Sequence, residues 1–298
     1  AFDSEFTADQ SVTNTVTLLR DYTEVTDVRV PDVGHLKGSL LVGRFIEGTG
    51  ILPRTARLDL NGHTLMGGGV EFDEEEQAAL STIVVAPQSV LIIDDSSDGQ
   101  TGSIRKPQAA PAVVEKTASE TPRFGLAFRS LFAMSTVANV GGDLTLASGT
   151  VYGEPVLMLG DTYAIGVFNL SGRFRMNGGS IVGCAAGDSQ FAAGVAAVEA
   201  VSVHITGGKV RDSIFDASSK EISISGGLFG TSDVFDHPEW VAKDYVCAEN
   251  DDSVTRAEGY LWKVFIPSEG TVWNPWKVGP TGSEEPTAYT NRNGELTI

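Results

Sequence analysis

The sequence predicts an all-β fold built as a parallel β-helix. Three features carry that expectation. A short glycine-bearing phrase is written again and again, its clear copies start 19 to 30 residues apart, and apolar side chains alternate within them with a period of two. The phrase reads apolar, any, apolar, small polar, Gly or Ser, Gly, any, apolar. Clear copies are LTLASGTV from Leu144, FRMNGGSI from Phe174, VHITGGKV from Val203 and ISISGGLF from Ile222. Each is a short strand, a bend and a second short strand. Such a unit cannot cover its own apolar face, but stacked on the next copy it can. One coil per copy would place successive strands about 4.8 Å apart. Leu146, Met176, Ile205 and Ile224 would then form one interior column. The bend glycines expected to be structural are Gly62, Gly149, Gly178, Gly179, Gly207, Gly208, Gly226 and Gly227.

In chain order, the first elements are VTLLRD (Val16 to Asp21) and LDLNGHTL (Leu58 to Leu65), the latter with His63 in the second glycine slot. LIIDDSSDGQTGSI (Leu91 to Ile104) fits if six residues are inserted between its halves. Stretches 66–88 and 106–129 read as insertions, with EFDEEEQAAL (Glu71 to Leu80) a helix or an acidic loop. Before the clear phrases stand further strands: SLFAMSTVANV (Ser130 to Val140), AIGVFNLSG (Ala164 to Gly172), AAGVAAVEAVS (Ala192 to Ser202) and SIFDAS (Ser213 to Ser218). Gly166 and Gly194 occupy similar places in two of them. The parallel β-helix is thus assigned to 1–232, a closing element to 233–266 and a tail to 267–298. Solenoid ends need covering, and Trp240, Tyr245 and Trp262 are the candidates. A β-sandwich also uses many short strands, but it lacks a repeated Gly-Gly phrase with matching flanks.

Composition narrows the function. A hydrophobic share of 41% supports a packed core, and no apolar run is long enough to span a membrane as a helix. The net charge of −18 argues against nucleic acid, whose binding rests on Lys and Arg. Cys184 and Cys247 are too few for a disulfide framework and read as buried thiols. The chain opens at Ala1, which suits removal of a signal peptide or an initiator methionine.

With these phrases in view, the chain resembles bacterial cell-surface, adhesin-like proteins of gut anaerobes that carry right-handed, pectate-lyase-like β-helix repeats. The resemblance runs from Val16 to Val264, through VTLLRD, LDLNGHTL, LIIDDSSDGQTGSI, the Gly-Gly turns and the closing segment His237 to Val264. It implies a right-handed parallel β-helix (solenoid) with a capping C-terminal segment, exposed outside a bacterium.

Because this fold also hosts polysaccharide lyases and hydrolases, acidic residues have to be weighed. Asp94, Asp95 and Asp98 are the catalytic candidates, but adjacent acids in a turn read first as Asx-type turn formers. Asp59, Asp94 and Asp143 could stack as exposed acids but are not equivalent positions: Asp59 is the middle residue of LDL in its phrase, Asp94 is the fourth residue of its own, and Asp143 precedes its phrase. Glu74 to Glu76 are available to Ca2+, though a solvated acidic loop is the plainer reading. His63, His204 and His237 form no metal set, His35 sits in a glycine-rich loop, and His204 should point outward. No metal and no cofactor are expected. Trp273 and Trp276 are the candidates for stacking on a ligand. The leading expectation is a non-enzymatic extracellular structural or adhesion protein that binds a glycan or a surface protein. Two alternatives stay open: a phage fibre, spike or decoration protein, trimeric if so and located on the virion, and a lyase or glycoside hydrolase acting on an acidic polysaccharide.

Overall fold

The computed structural model describes residues 14–30, 34–46, 50–69, 78–79, 81–107, 135–158, 161–183, 191–267, 289–290 and 296–297. The described chain is dominated by short strands, and its helical segments are brief and lie in the closing segment.

Three sheets carry the architecture. Sheet I orders seven strands as Asn14–Thr17, Thr55–Asp59, Val90–Asp94, Asp143–Leu146, Arg173–Met176, Ser202–Ile205 and Ile222–Ile224. Sheet II runs Tyr22–Thr23, Thr64–Met66, Ser103–Arg105, Thr150–Tyr152, Ser180–Val182, Lys209–Val210 and Gly227–Phe229. Sheet III runs Leu40–Val42, Ile83–Val85, Ser135–Val140, Asp161–Leu170, Phe191–Val198 and Ile214–Ala217. Neighbours within all three runs are parallel. The chain visits sheet III, then I, then II, and repeats the circuit. Parallel strands joined in this way are not the antiparallel pairs of a β-sandwich.

Register explains the repeated phrase. In sheet I, Val16, Leu58, Ile93, Leu146, Met176, Ile205 and Ile224 are successive cross-strand partners. A second column runs through Ala56, Leu91, Leu144, Phe174, Val203 and Ile222. Leu146, Met176, Ile205 and Ile224 are at most 1% exposed. Each such side chain contributes roughly 1.5–3 kcal/mol. Sheet II adds Leu65, Ile104, Val151, Ile181, Val210 and Phe229, and all three walls share one buried cluster.

The bends show why two glycines recur. A side chain on Gly178 would bring Cβ to 2.3 Å from the Ala147 carbonyl oxygen of the preceding coil. Gly179 has φ +70°, a left-handed conformation that few other residues adopt. The first glycine therefore provides room and the second provides the turn.

Sheet III is largely buried on both faces, which accounts for the continuous runs AIGVF and GVAAV. One face joins the main cluster, while Ile165, Phe168, Ala193 and Ala196 form a second buried cluster. Partner pairs on either side set Gly166 beside Gly194, as their sequence positions suggest.

At the C-terminal end, Trp262–Phe265 pairs antiparallel with Gly227–Phe229 and with Val246–Glu249, ending the parallel ladder. Val234, Trp240, Val241, Cys247 and Val264 enter the main core, and Tyr245 and Trp262 pack against it. Phe235 stacks on Trp262 with ring centres 4.5 Å apart. A short helix at Ser253–Ala257, absent from the sequence reading, is capped by Asp252, whose carboxylate accepts from the Val254 and Thr255 amides.

Two expectations need correction. The early phrase LDLNGHTL is displaced by two residues: Leu58, not Leu60, is in line with Leu146. Leu60 is buried beyond the end of the strand, because the turn at Asn61 and Gly62 is longer than in the later coils. Asp59 and Asp94 are consequently direct cross-strand partners, not unrelated positions. Within the presumed insertion 66–88, Ile83–Val85 is a strand of sheet III. Residues 108–134, most of the acidic stretch, Cys184, Trp273 and Trp276 lie outside the described residues.

Candidate functional site

The predicted acids lie at the corner between sheets I and II. Asp94 ends its strand and Asp95 begins the eight-residue connection to Ser103–Arg105. Asp95, 3% exposed, accepts at Oδ1 from the Gly62 amide at 2.8 Å and from the Ser97 amide and hydroxyl at 3.1 and 2.8 Å. Its Oδ2 accepts from the Gly102 amide at 2.5 Å. Burial works to raise its pKa, but donors from Ser97, Gly62 and Gly102 outweigh burial and leave it lowered. The Ser148 hydroxyl donates to Asp94 at 2.5 Å, and the Arg57 guanidinium pairs with the same carboxylate. Ser148, opposed by burial and helped by Arg57, holds the Asp94 pKa down. Asp59 accepts from the Asn61 amide and from both donors of Ser96. Asp98 is exposed in the turn.

The arrangement is turn chemistry. Asp95 and Asp59 each accept from the amide two residues ahead, the Asx pattern, and also bind a neighbouring coil. A general acid needs a carboxyl free to carry a proton; Asp94 and Asp95 are stabilised as anions by these donors. Among the described residues, no cluster of three or more His, Cys, Asp or Glu side chains is placed to hold a metal. His204 lies between buried Val203 and Ile205 and reaches outward to Glu221 at 3.3 Å. His237 pairs with Glu239 at 2.8 Å, and His63 lies 3.6 Å from Asp21.

The sequence reading missed a charged cluster where sheet II approaches sheet III. Lys106 is 1% exposed and Glu154 is 8% exposed. Glu154 accepts from the Arg105 guanidinium at 2.9 Å and from the Lys106 amide at 2.8 Å. Arg105 lies 3.4 Å above the centre of the Tyr152 ring. Burial drives the Lys106 ammonium well below the usual lysine value, and Glu154 opposes that shift. Glu154 and Tyr152 stand after the Gly-bearing phrase in GTVYGE, and only the fold brings them to Arg105-Lys106, one coil earlier.

The outer face of sheet I carries an in-register row of mostly polar side chains. Arg57, Ile92, Thr145, Arg175, His204 and Ser223 are successive partners along it. Arg173 beside them pairs with Asp143 at 3.2 Å. Arg175 is exposed and forms no ion pair among the described residues. No helix among the described residues is long and apolar enough to cross a membrane. No protein-family model, curated protein or solved structure matches this chain.

Proposed function

We propose that the protein is a right-handed parallel β-helix that acts outside a bacterial cell as a non-enzymatic structural or adhesive element, presenting the outer face of sheet I to a glycan or surface protein. One observation carries this reading: the recurring residues are consumed by architecture. Their apolar members fill in-register columns, their glycines make the bends, and Asp94 and Asp95 hold turns together. The right hand follows from the strong preference of crossover connections between parallel strands. A stiff stacked rod suits a protein that holds a surface at a distance, and in-register polar ladders offer a regular face for an extended chain. Localisation at the cell surface belongs to the same proposal.

The test is a glycan array read beside a cleavage assay on pectins and host glycans, with and without calcium. Retention of a glycan, lost when Arg175 is replaced by Ala, supports adhesion along sheet I. Turnover above background would replace adhesion with a lyase or hydrolase.

A further inference from the structure

We infer that Asn177 is a site of spontaneous covalent modification, converting to aspartate and isoaspartate in the folded protein, while the same dipeptide at Asn61 is protected by the fold. The described chain contains two Asn-Gly pairs, Asn61-Gly62 and Asn177-Gly178. Both sit in bends, and sequence alone does not separate them.

The reaction starts when the backbone nitrogen of the glycine attacks the asparagine Cγ. A new C–N bond closes a five-membered imide, the Cγ–Nδ2 bond breaks, and ammonia leaves carrying the proton from the attacking amide. Water then adds to either imide carbonyl, giving aspartate or isoaspartate. The net change consumes one water and releases one ammonia, with no oxidation or reduction.

The two sites differ at the attacking nitrogen. The Gly62 amide donates to the buried carboxylate of Asp95 at 2.8 Å, and the Asn61 side-chain amide donates to the Leu18 carbonyl at 3.0 Å. Nucleophile and electrophile are both tied there, the first to an ionised acceptor. At the second site the Gly178 amide donates to no acceptor among the described residues. Asn177 is exposed to water, the co-reactant, and its Nδ2 donates to no acceptor among the described residues. The Thr206 hydroxyl donates to Asn177 Oδ1 at 3.1 Å, which polarises the carbon under attack and steadies the oxygen that gains charge. Gly178 has no Cβ to obstruct ring closure.

Conversion adds a negative charge at the bend that follows the Arg173–Met176 strand, beside Thr206 of the next coil. Isoaspartate also adds a methylene to the backbone at a bend whose neighbouring coil lies in direct contact.

The intact protein is aged in mildly alkaline buffer and mapped by peptide mass, natively and in concentrated urea; Asn293-Gly294, outside the described residues, is mapped separately. Freeing a charge-assisted hydrogen bond before attack should slow Asn61 by roughly tenfold or more relative to Asn177 in the folded protein. In urea the two should convert at similar rates. Equal conversion in the folded state, an unreactive Asn177, or a difference that persists in urea would each overturn the inference.

Discussion

At the scale of single residues, the account turns on what the corner carboxylates do. Asp95 binds three amides and a hydroxyl from its own turn and from the coil below, so its ionised form is a structural component. Its pKa and that of Asp94 lie below the ordinary value of 3.8 in the folded chain. A depressed carboxylate stabilises the fold fully above its unfolded value, and that stabilisation is lost as pH falls through the folded value. Chemical denaturation should therefore show stability holding down to about pH 4 and dropping below it. Asp95→Asn should lower stability at neutral pH and flatten the acid loss, because an amide cannot accept at both positions. An unchanged acid profile in that variant would show that Asp95 carries no such role. The Asp-Asp pair was visible in the sequence, and so was its Asx character. Its partners Gly62 and Ser148 were not, because they come from neighbouring coils set by register.

At the scale of elements, the columns and the bend glycines were legible, and the partners across the corners were not. Alternation in FRM, VHI and ISI identified the buried faces, since a strand has only two sides. The early phrase was misaligned because LDL continues an ARL alternation, and only pairing shows which leucine stands over Ile93. Sheet III hides a polar feature inside apolar strands. Asn139 and Asn169, both fully buried, are cross-strand partners, and the Asn139 amide donates to Asn169 Oδ1 at 2.8 Å. Asn139 Nδ2 also reaches the Gly142 carbonyl, while its Oδ1 accepts from the Gly142 amide at 3.1 Å. The matching spacing of Asn139 to Gly142 and of Asn169 to Gly172 was the available signal, overlooked beside the louder Gly-Gly phrases. Asn139→Ala should cost about 1–3 kcal/mol, because it leaves buried backbone groups without partners. Urea unfolding measures this directly, and a neutral substitution would show that the ladder adds nothing to the fold.

At the scale of the whole molecule, the architecture is one circuit repeated, with each coil dependent on its neighbours and the last closed by antiparallel strands and aromatic packing. Apolar columns were readable in the sequence because they obey a local period. Function was not, because the outer ladders vary from coil to coil and the charged cluster at Lys106 forms only when coils stack. The central claim is that successive coils are stacked in register, so it is best tested by a cross-link across them. Thr145 and Arg175 are partners on the outer face of sheet I, and His204 is the next rung. Adjacent rungs lie about 4.8 Å apart and alternate rungs about twice that, while a disulfide spans roughly 4.4–6.8 Å between Cα atoms. The pair Thr145→Cys with Arg175→Cys should oxidise fully in the folded protein, as read by peptide mapping, and Thr145→Cys with His204→Cys should not. A cross-link in the second pair as efficient as in the first, or in neither, would contradict the stacking on which the whole account depends.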